Sequence, residues 1–164
     1  MQERQTKVNI LLPQSGLTRR LLNNLITFKA TAADTNGIYA LFEIDTPPGE
    51  GMPPHLQQYD DETFWVLQGT ISFLVGDREW DLGAGAYAFV PRGTRHGFRN
   101  SGRTNARMLT FVTPGGIQER FYTEAGKPAA ASQSALAPAD PADLPRIVKI
   151  AQKYGIEMLL PPGA

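Results

Sequence analysis

Short runs of β-branched and aromatic residues follow one another along the first two thirds of the chain, and turn-forming residues separate them. Such runs are typical of β-strands, and the 16 glycines and 13 prolines fit many turns between short elements. Within 38–46, Ala40, Phe42 and Ile44 share one face, as in a strand with one buried side. We therefore predict an all-β body. The predicted strands cover residues 8–12, 25–30, 38–46, 63–67, 71–75, 86–90 and 107–113.

The end of the chain has a helical pattern instead. Residues 117–125 predict a short helix that ends at Gly126. Residues 128–141 consist mainly of alanine, serine and proline, which is typical of a flexible linker. After this linker, large apolar residues recur at helical spacing from Leu144 to Tyr154. We predict an amphipathic helix that docks on the body.

Composition excludes several classes of function. Sixteen basic residues balance sixteen acidic ones, so no basic stripe favours a nucleic acid or a membrane surface as partner. The absence of cysteine excludes thiolate chemistry and disulfides. No apolar run is long enough to span a bilayer, and the first residues are too charged for a signal peptide. We expect a cytoplasmic protein.

Two segments carry the residues with metal-binding chemistry. His55 and His96 are the only two histidines in the chain. Gln57 stands two residues after His55, so both side chains point to the same side of a strand. Glu62 precedes apolar strand residues, where a carboxylate needs a partner. Two imidazoles and one carboxylate that converge would bind a divalent transition metal.

These segments resemble the two sequence motifs of the cupin superfamily. In the first, Gly49 and Gly69 flank His55, Gln57 and Glu62 at the family's spacing, with Gln57 in place of a histidine. The second runs from Gly85 to Asn100 through Pro91, Gly93 and His96, and it matches at every fixed position. The resemblance covers about residues 25–113, and the tail looks like that of quercetin-dioxygenase-like monocupins. It implies a double-stranded β-helix, or jelly-roll, barrel.

The resemblance also implies how the chain is divided. Residues 1–22 would form an N-terminal arm, 23–113 the cupin barrel, and 114–164 a C-terminal helical tail that contains the linker 128–141. Cupins of this size are commonly homodimers in which an N-terminal strand joins the partner's sheet. Residues 8–12 are the candidate for that strand.

By position, the resemblance implies a metal site of His55, Glu62 and His96, with Gln57 at the vacant fourth place. Cupins usually hold Fe, Mn, Ni, Cu or Zn. An amide oxygen is a weaker donor than imidazole for these ions, so Gln57 would be a weak ligand or would hold a metal-bound water. The remaining donors match the two-histidine, one-carboxylate set of non-haem iron enzymes. Glu62 is also the candidate catalytic residue.

Two classes of function remain open. In the first, the protein is a metal-dependent dioxygenase of a small aromatic or flavonoid-like substrate, or an isomerase or hydrolase if the metal is zinc. In the second, the barrel binds a small molecule without turnover and without tightly bound metal. The residues that line the substrate pocket or fill the barrel are predicted to be Phe64, Phe73, Phe98 and Met108.

Overall fold

Two antiparallel β-sheets face each other in the computed structural model, which describes residues 7–132 and 140–160. From edge to edge, the larger sheet consists of β11 (Lys127–Ala129), β1 (Thr18–Leu21), β2 (Asn24–Ala30), β3 (Ala40–Thr46), β10 (Ala106–Thr113), β5 (Asp61–Gln68) and β8 (Tyr87–Val90). The smaller sheet consists of β12 (Ile156–Met158), β4 (Gly51–Gln57), β9 (His96–Asn100), β6 (Thr70–Val75) and β7 (Arg78–Gly83). This arrangement confirms the predicted all-β jelly-roll class.

Three helices accompany the sheets in the described part of the chain. They are α1 (Ala32–Thr35), α2 (Ile117–Ala125) and α3 (Leu144–Lys153), and a single 3-10 turn (Pro141–Asp143) precedes α3. The second and third helices start and end within a residue or two of the predicted bounds, because their apolar residues recur at helical spacing. Among the described residues, no helix has both the length and the apolar character needed to cross a membrane.

The core lies between the two sheets. Alternate residues of β3 and β10 point inward, so Phe42, Ile44 and Met108 are almost completely buried. Each fully buried side chain of this size stabilises the fold by about 1.5–3 kcal/mol through removal of apolar surface from water. Helix α2 closes one end of the core, where the ring of Tyr122 packs edge-on against Phe42 with centroids 5.0 Å apart.

The predicted strand ranges do not cover every observed strand. They omit β1, β4, β7, β9, β11 and β12; of these, β7 lies at a sheet edge and is mostly exposed, so it has no buried face to leave an alternating pattern. Residues 8–12 form no strand within the single chain, and their predicted pairing with a partner's sheet stays a prediction. Strand β3 begins at Ala40 rather than at residue 38.

The predicted linker lies only partly within the described residues. Residues 133–139, its central part, fall outside them, as do residues 1–6 of the predicted arm and 161–164 of the tail. Pro128, at the predicted start of the linker, instead lies in β11 and pairs with Arg19 of β1. The tail also contributes β12, which joins the smaller sheet beside β4. The domain boundaries and the flexibility of the linker stay predictions.

Strand β4 approaches its neighbour β9 unusually closely. Gly51 is in register with Arg99, and a Cβ atom added at Gly51 would lie 1.9 Å from the carbonyl oxygen of Phe98. Only glycine fits this contact without movement of the backbone. The side chain of Asn24 holds the same place by donating a hydrogen bond of 2.9 Å to the carbonyl oxygen of Gly51.

We predict that Gly51→Ala lowers the free energy of unfolding by about 1–3 kcal/mol, since the added methyl group forces the two strands apart. Gly83→Ala is the matched control, because a Cβ atom at Gly83 meets no described atom within 4 Å and the residue lies on an edge strand. The control should change stability by less than about 0.5 kcal/mol. Urea unfolding of the three proteins measures both effects. Equal stabilities would contradict the close approach of β4 and β9.

Candidate metal centre

The two histidines of the chain lie opposite each other on neighbouring strands. His55 of β4 is in register with His96 of β9, and the centroids of their rings are 4.3 Å apart. Both side chains are buried. The register between β4 and β9 shifts between Met52 and His55, where Pro53 and Pro54 interrupt the regular pairing. Proline cannot donate a ladder hydrogen bond, and such a bulge turns both Met52 and His55 to the interior.

The carboxylate of the site comes from the opposite sheet. Glu62 lies on β5 of the larger sheet and is 3 % exposed. Its Oε2 atom is 3.0 Å from Nε2 of His96. One ligand atom from each of His55, Glu62 and His96 lies within 4.8 Å of the others. The structure therefore brings together the three residues that the sequence predicted as metal ligands.

Backbone carbonyl groups fix how each histidine presents its ring. Nδ1 of His55 is 2.9 Å from the carbonyl oxygen of Pro53, and Nδ1 of His96 is 2.9 Å from that of Thr94. A carbonyl oxygen only accepts, so each Nδ1 carries a proton and donates it. The Nε2 atom of a neutral ring then holds the free lone pair. This is the outer hydrogen bond that orients histidine ligands at metal sites.

The two histidines respond to their surroundings in opposite ways. Burial, together with the positive charge of a protonated His96, lowers the pKa of His55 to about 4, so His55 is neutral near pH 7. Burial also opposes protonation of His96, but the hydrogen bond and negative charge of Glu62 outweigh it and raise the pKa of His96 above its ordinary value. When His96 is protonated, a charge-assisted hydrogen bond holds it against Glu62. A divalent cation would displace that proton.

Gln57 lies inside the site, next to the carboxylate. It follows His55 by two residues on β4, is 2 % exposed, and donates from Nε2 to Oε2 of Glu62 at 2.7 Å. Its own Oε1 atom is buried and has no hydrogen-bond partner among the described residues. An unpaired acceptor beside a His–Glu–His cluster fits a further ligand to the metal or to a metal-bound water. The donor set and this free oxygen together fit a divalent transition metal.

A small cavity adjoins the site. It encloses about 20 Å³, room for about one water molecule, and His55 and Glu62 form part of its wall. Of the residues predicted for a substrate pocket, Phe64 and Phe98 line this cavity. Phe73 and Met108 do not line it; they are buried in the core. Whether any of the four contacts a substrate stays a prediction.

The C-terminal tail closes the cavity, and sequence reasoning did not place its residues there. Helix α2 contributes Gln118, Phe121 and Tyr122, and β12 contributes Ile156 and Met158. Strand β12 pairs with β4 in a register that sets Met158 opposite His55 and Ile156 opposite Gln57. The sequence predicted the helix at 117–125, but no local pattern indicated that this helix would cover the histidines.

Asp60 is a second buried carboxylate that the sequence did not single out. It is 2 % exposed, and its Oδ2 atom has no hydrogen-bond partner among the described residues. Burial, and then the negative charge of Glu62, raises the pKa of Asp60 to about 7. The adjacent Asp61 differs, because hydrogen bonds from Arg92 hold the pKa of Asp61 below its ordinary value.

Comparison with known proteins agrees with this geometry. Residues 42–112 match the family model described as "Cupin domain". Two solved structures superpose with TM-scores of 0.58: a predicted oxalate decarboxylase from Thermotoga maritima (19% identity, 64% of this chain, 99% of that one) and an RmlC-like cupin from Shewanella frigidimarina (17% identity, 69% of this chain, 96% of that one). These likenesses concern the fold alone. The family match over residues 42–112 and the shared fold support the predicted resemblance to the cupin superfamily.

The chain is also similar in sequence to curated proteins. The chain is 28% identical over 117 residues to quercetin 2,3-dioxygenase from Bacillus subtilis, a match that covers 70% of this chain and 34% of the relative. It is 30% identical over 101 residues to the tetracenomycin polyketide synthase protein TcmJ from Streptomyces glaucescens, with 62% and 63% covered. The chain thus spans about a third of the first relative and less than two thirds of the second.

We predict that Asp60→Asn stabilises the metal-free protein at alkaline pH. The pKa of Asp60 is about 7 in the folded state, whereas in the unfolded chain it has its ordinary value of 3.8. The contribution of Asp60 to the stability of the folded state therefore falls as pH rises between these two values, and it is fully lost above about pH 7. In chelator-treated protein at about pH 8, the free energy of unfolding of the variant should exceed that of wild type by at least about 1 kcal/mol. This difference should shrink toward about pH 5.

The matched control is Asp61→Asn, which removes the carboxylate that pairs with Arg92. Because that pair is partly exposed, its loss should lower stability by at most about 1 kcal/mol at either pH. Urea unfolding of the three proteins at both pH values gives the comparison. An Asp60→Asn protein no more stable than wild type at about pH 8 would show that Asp60 is not buried as a carboxylate.

Proposed function

We propose that the protein is a metal-dependent cupin enzyme, a dioxygenase of a small aromatic or flavonoid-like substrate. The observation that carries the proposal is the convergence of His55, Glu62 and His96 within 4.8 Å, with both imidazoles oriented by backbone carbonyls. When bound, the ion would supply Lewis-acid or redox chemistry, according to whether it is Zn or one of Fe, Mn, Ni and Cu.

The chain's own residues would perform the remaining tasks. His55, neutral near pH 7, offers a lone pair with no proton to remove. Glu62 is the proposed catalytic residue, since it lines the cavity and its carboxylate can accept a proton from a substrate hydroxyl group. The apolar lining formed by Phe64 and Phe98 would exclude water around the reacting atoms.

Support for the substrate class comes from the relatives' names. One is a quercetin 2,3-dioxygenase and another a polyketide synthase protein. An aromatic substrate needs far more room than about 20 Å³, so the proposal requires the tail residues that close the cavity to move when substrate enters. Helix α2 and strand β12 are the elements that would have to move.

A specific observation favours a second candidate, a small-molecule-binding cupin without tightly bound metal. Gln57 Nε2 and His96 Nε2 both lie at hydrogen-bond distance from the same oxygen of Glu62. This network satisfies the carboxylate without a cation. Elemental analysis of protein purified without chelator or nickel column separates the two. Stoichiometric iron or manganese supports the dioxygenase, stoichiometric zinc supports an isomerase or hydrolase, and metal-free protein supports the binding module.

We predict that Gln57→His tightens the binding of a late first-row metal about ten-fold or more, because imidazole is a stronger donor than an amide. Glu62→Gln and His55→Ala should abolish binding, since each leaves too few strong donors. Gln58→His is the matched control: it adds a histidine at the exposed next position and should change nothing. Competitive metal titration near pH 7 measures all five proteins. Equal metal binding by wild type and Glu62→Gln would contradict the proposed metal centre.

We also propose a homodimer in which residues 8–12 add to the partner's sheet. Val8, Ile10 and Leu12 are 88%, 79% and 71% exposed, an unusual density of apolar side chains in water. Asn9 between them donates one hydrogen bond to the carbonyl oxygen of Lys29.

Replacing Val8, Ile10 and Leu12 together by serine, or deleting residues 1–16, should convert the dimer to a monomer. Loss of buried apolar surface is the expected cause. Light scattering measures the mass of each protein. Wild type that is already monomeric at micromolar concentration ends this proposal, and so does a serine variant that stays dimeric.

A further inference from the structure

Gln118 is a buried residue that lines the cavity beside the candidate metal centre. It is the second residue of α2 and is 2 % exposed. It lines the same cavity as His55 and Glu62, and apart from Tyr122 the other residues of that wall are apolar. The Oε1 atom of Gln118 is buried and has no hydrogen-bond partner among the described residues.

The unpaired Oε1 atom of Gln118 would be satisfied by a hydrogen-bond donor from outside the chain. A buried polar atom without a hydrogen bond destabilises a fold, and such atoms are usually paired with protein or with ordered water. The cavity encloses about 20 Å³, and a water molecule occupies about 10–15 Å³ on the same measure. The space therefore admits one water-sized group within reach of the cavity wall.

The fold holds Gln118 firmly in this position. The neighbouring Glu119 accepts a hydrogen bond of 2.9 Å from the backbone N–H of Ala32, which fixes the rotation of α2 about its axis. Phe121 and Tyr122, three and four residues after Gln118, are buried on the same side of the helix. Before the helix, the backbone N–H of Gly115 donates to the carbonyl oxygen of Gly37 at 3.0 Å. A residue so anchored has little freedom to turn its amide toward solvent.

We propose that Gln118 is the residue that binds and orients a small protic ligand, a water molecule or a hydroxyl group, beside the His55–Glu62–His96 centre. Its amide oxygen accepts the proton of that ligand, so the cavity favours a group that donates a hydrogen bond over an aprotic one of similar size. This assignment rests on the proposed metal centre for the ligand's second contact. Gln118 is a positioning residue for whatever occupies the cavity.

The first test is a pair of high-resolution crystal structures, of the full-length wild type and of Gln118→Leu, both without added metal. In wild type we expect an ordered water about 2.7–3.2 Å from Oε1 of Gln118, and in the leucine variant we expect none there. An empty wild-type cavity, or a Gln118 side chain paired with a protein group, overturns the proposal. Should the leucine variant fail to fold, Gln118→Met gives an unbranched apolar replacement for the same comparison.

The second test uses Co²⁺-loaded protein, whose visible absorption reports ligand binding. The probes are hydroxylamine, which carries protons, and azide, which carries none; both bind through nitrogen. Gln118→Leu should weaken hydroxylamine binding about 3- to 10-fold, the effect of one lost hydrogen bond, and leave azide binding within about two-fold. Gln152→Leu, at an exposed glutamine of α3, is the matched control and should change neither affinity.

The outcomes separate this inference from the proposed function. A purely structural role for Gln118 would change the unfolding midpoint and leave the ratio of the two affinities unchanged, which overturns the proposal. A selective loss of azide binding also overturns it, because the amide would then face the ligand as a donor. If wild type binds no Co²⁺, the metal centre fails, and the crystallographic comparison alone decides whether Gln118 holds a protic ligand.

Discussion

The contact between Glu62 and His96 joins the two sheets through the middle of an apolar core. The residues lie on β5 and β9, in different sheets, and each is almost wholly buried. A single unpaired charge here would be strongly destabilising, whereas a hydrogen-bonded pair is tolerated. Gln57 and the carbonyl group of Thr94 complete the hydrogen bonding around the pair. The facing sheets must keep a fixed separation at this point, and the neighbouring aromatic side chains pack around it.

Much of the fold and of the site could be read from the sequence because the relevant signals are local. The alternation in β3 and β10 shows directly which faces are buried, and helical spacing defines α2 and α3. Strand periodicity places His55 and Gln57 on one face of β4. The convergence of His55, Glu62 and His96 from three strands was instead implied by the resemblance to the cupin motifs.

The parts that could not be read depend on long-range contacts. No pattern around Gln118 or Met158 indicates that the tail returns to β4, because that pairing is set by packing against a barrel formed much earlier in the chain. Asp60 looks in the sequence like its neighbour Asp61, yet one is buried and the other pairs with Arg92 near the surface. Residues 8–12 have the composition of a strand, but a strand also needs a partner.

The pairing of β12 with β4 has a consequence for the order of events during synthesis. All four residues of the candidate centre precede residue 97, whereas the elements that cover it begin at Ile117 and end at Met158. A ribosome releases the histidines and the carboxylate well before it releases the covering strand. The nascent barrel thus passes through a stage in which its interior is open to small ions, and completion of the chain closes it. Any ion that binds this centre would enter most easily before the covering elements are in place, and would exchange slowly afterwards.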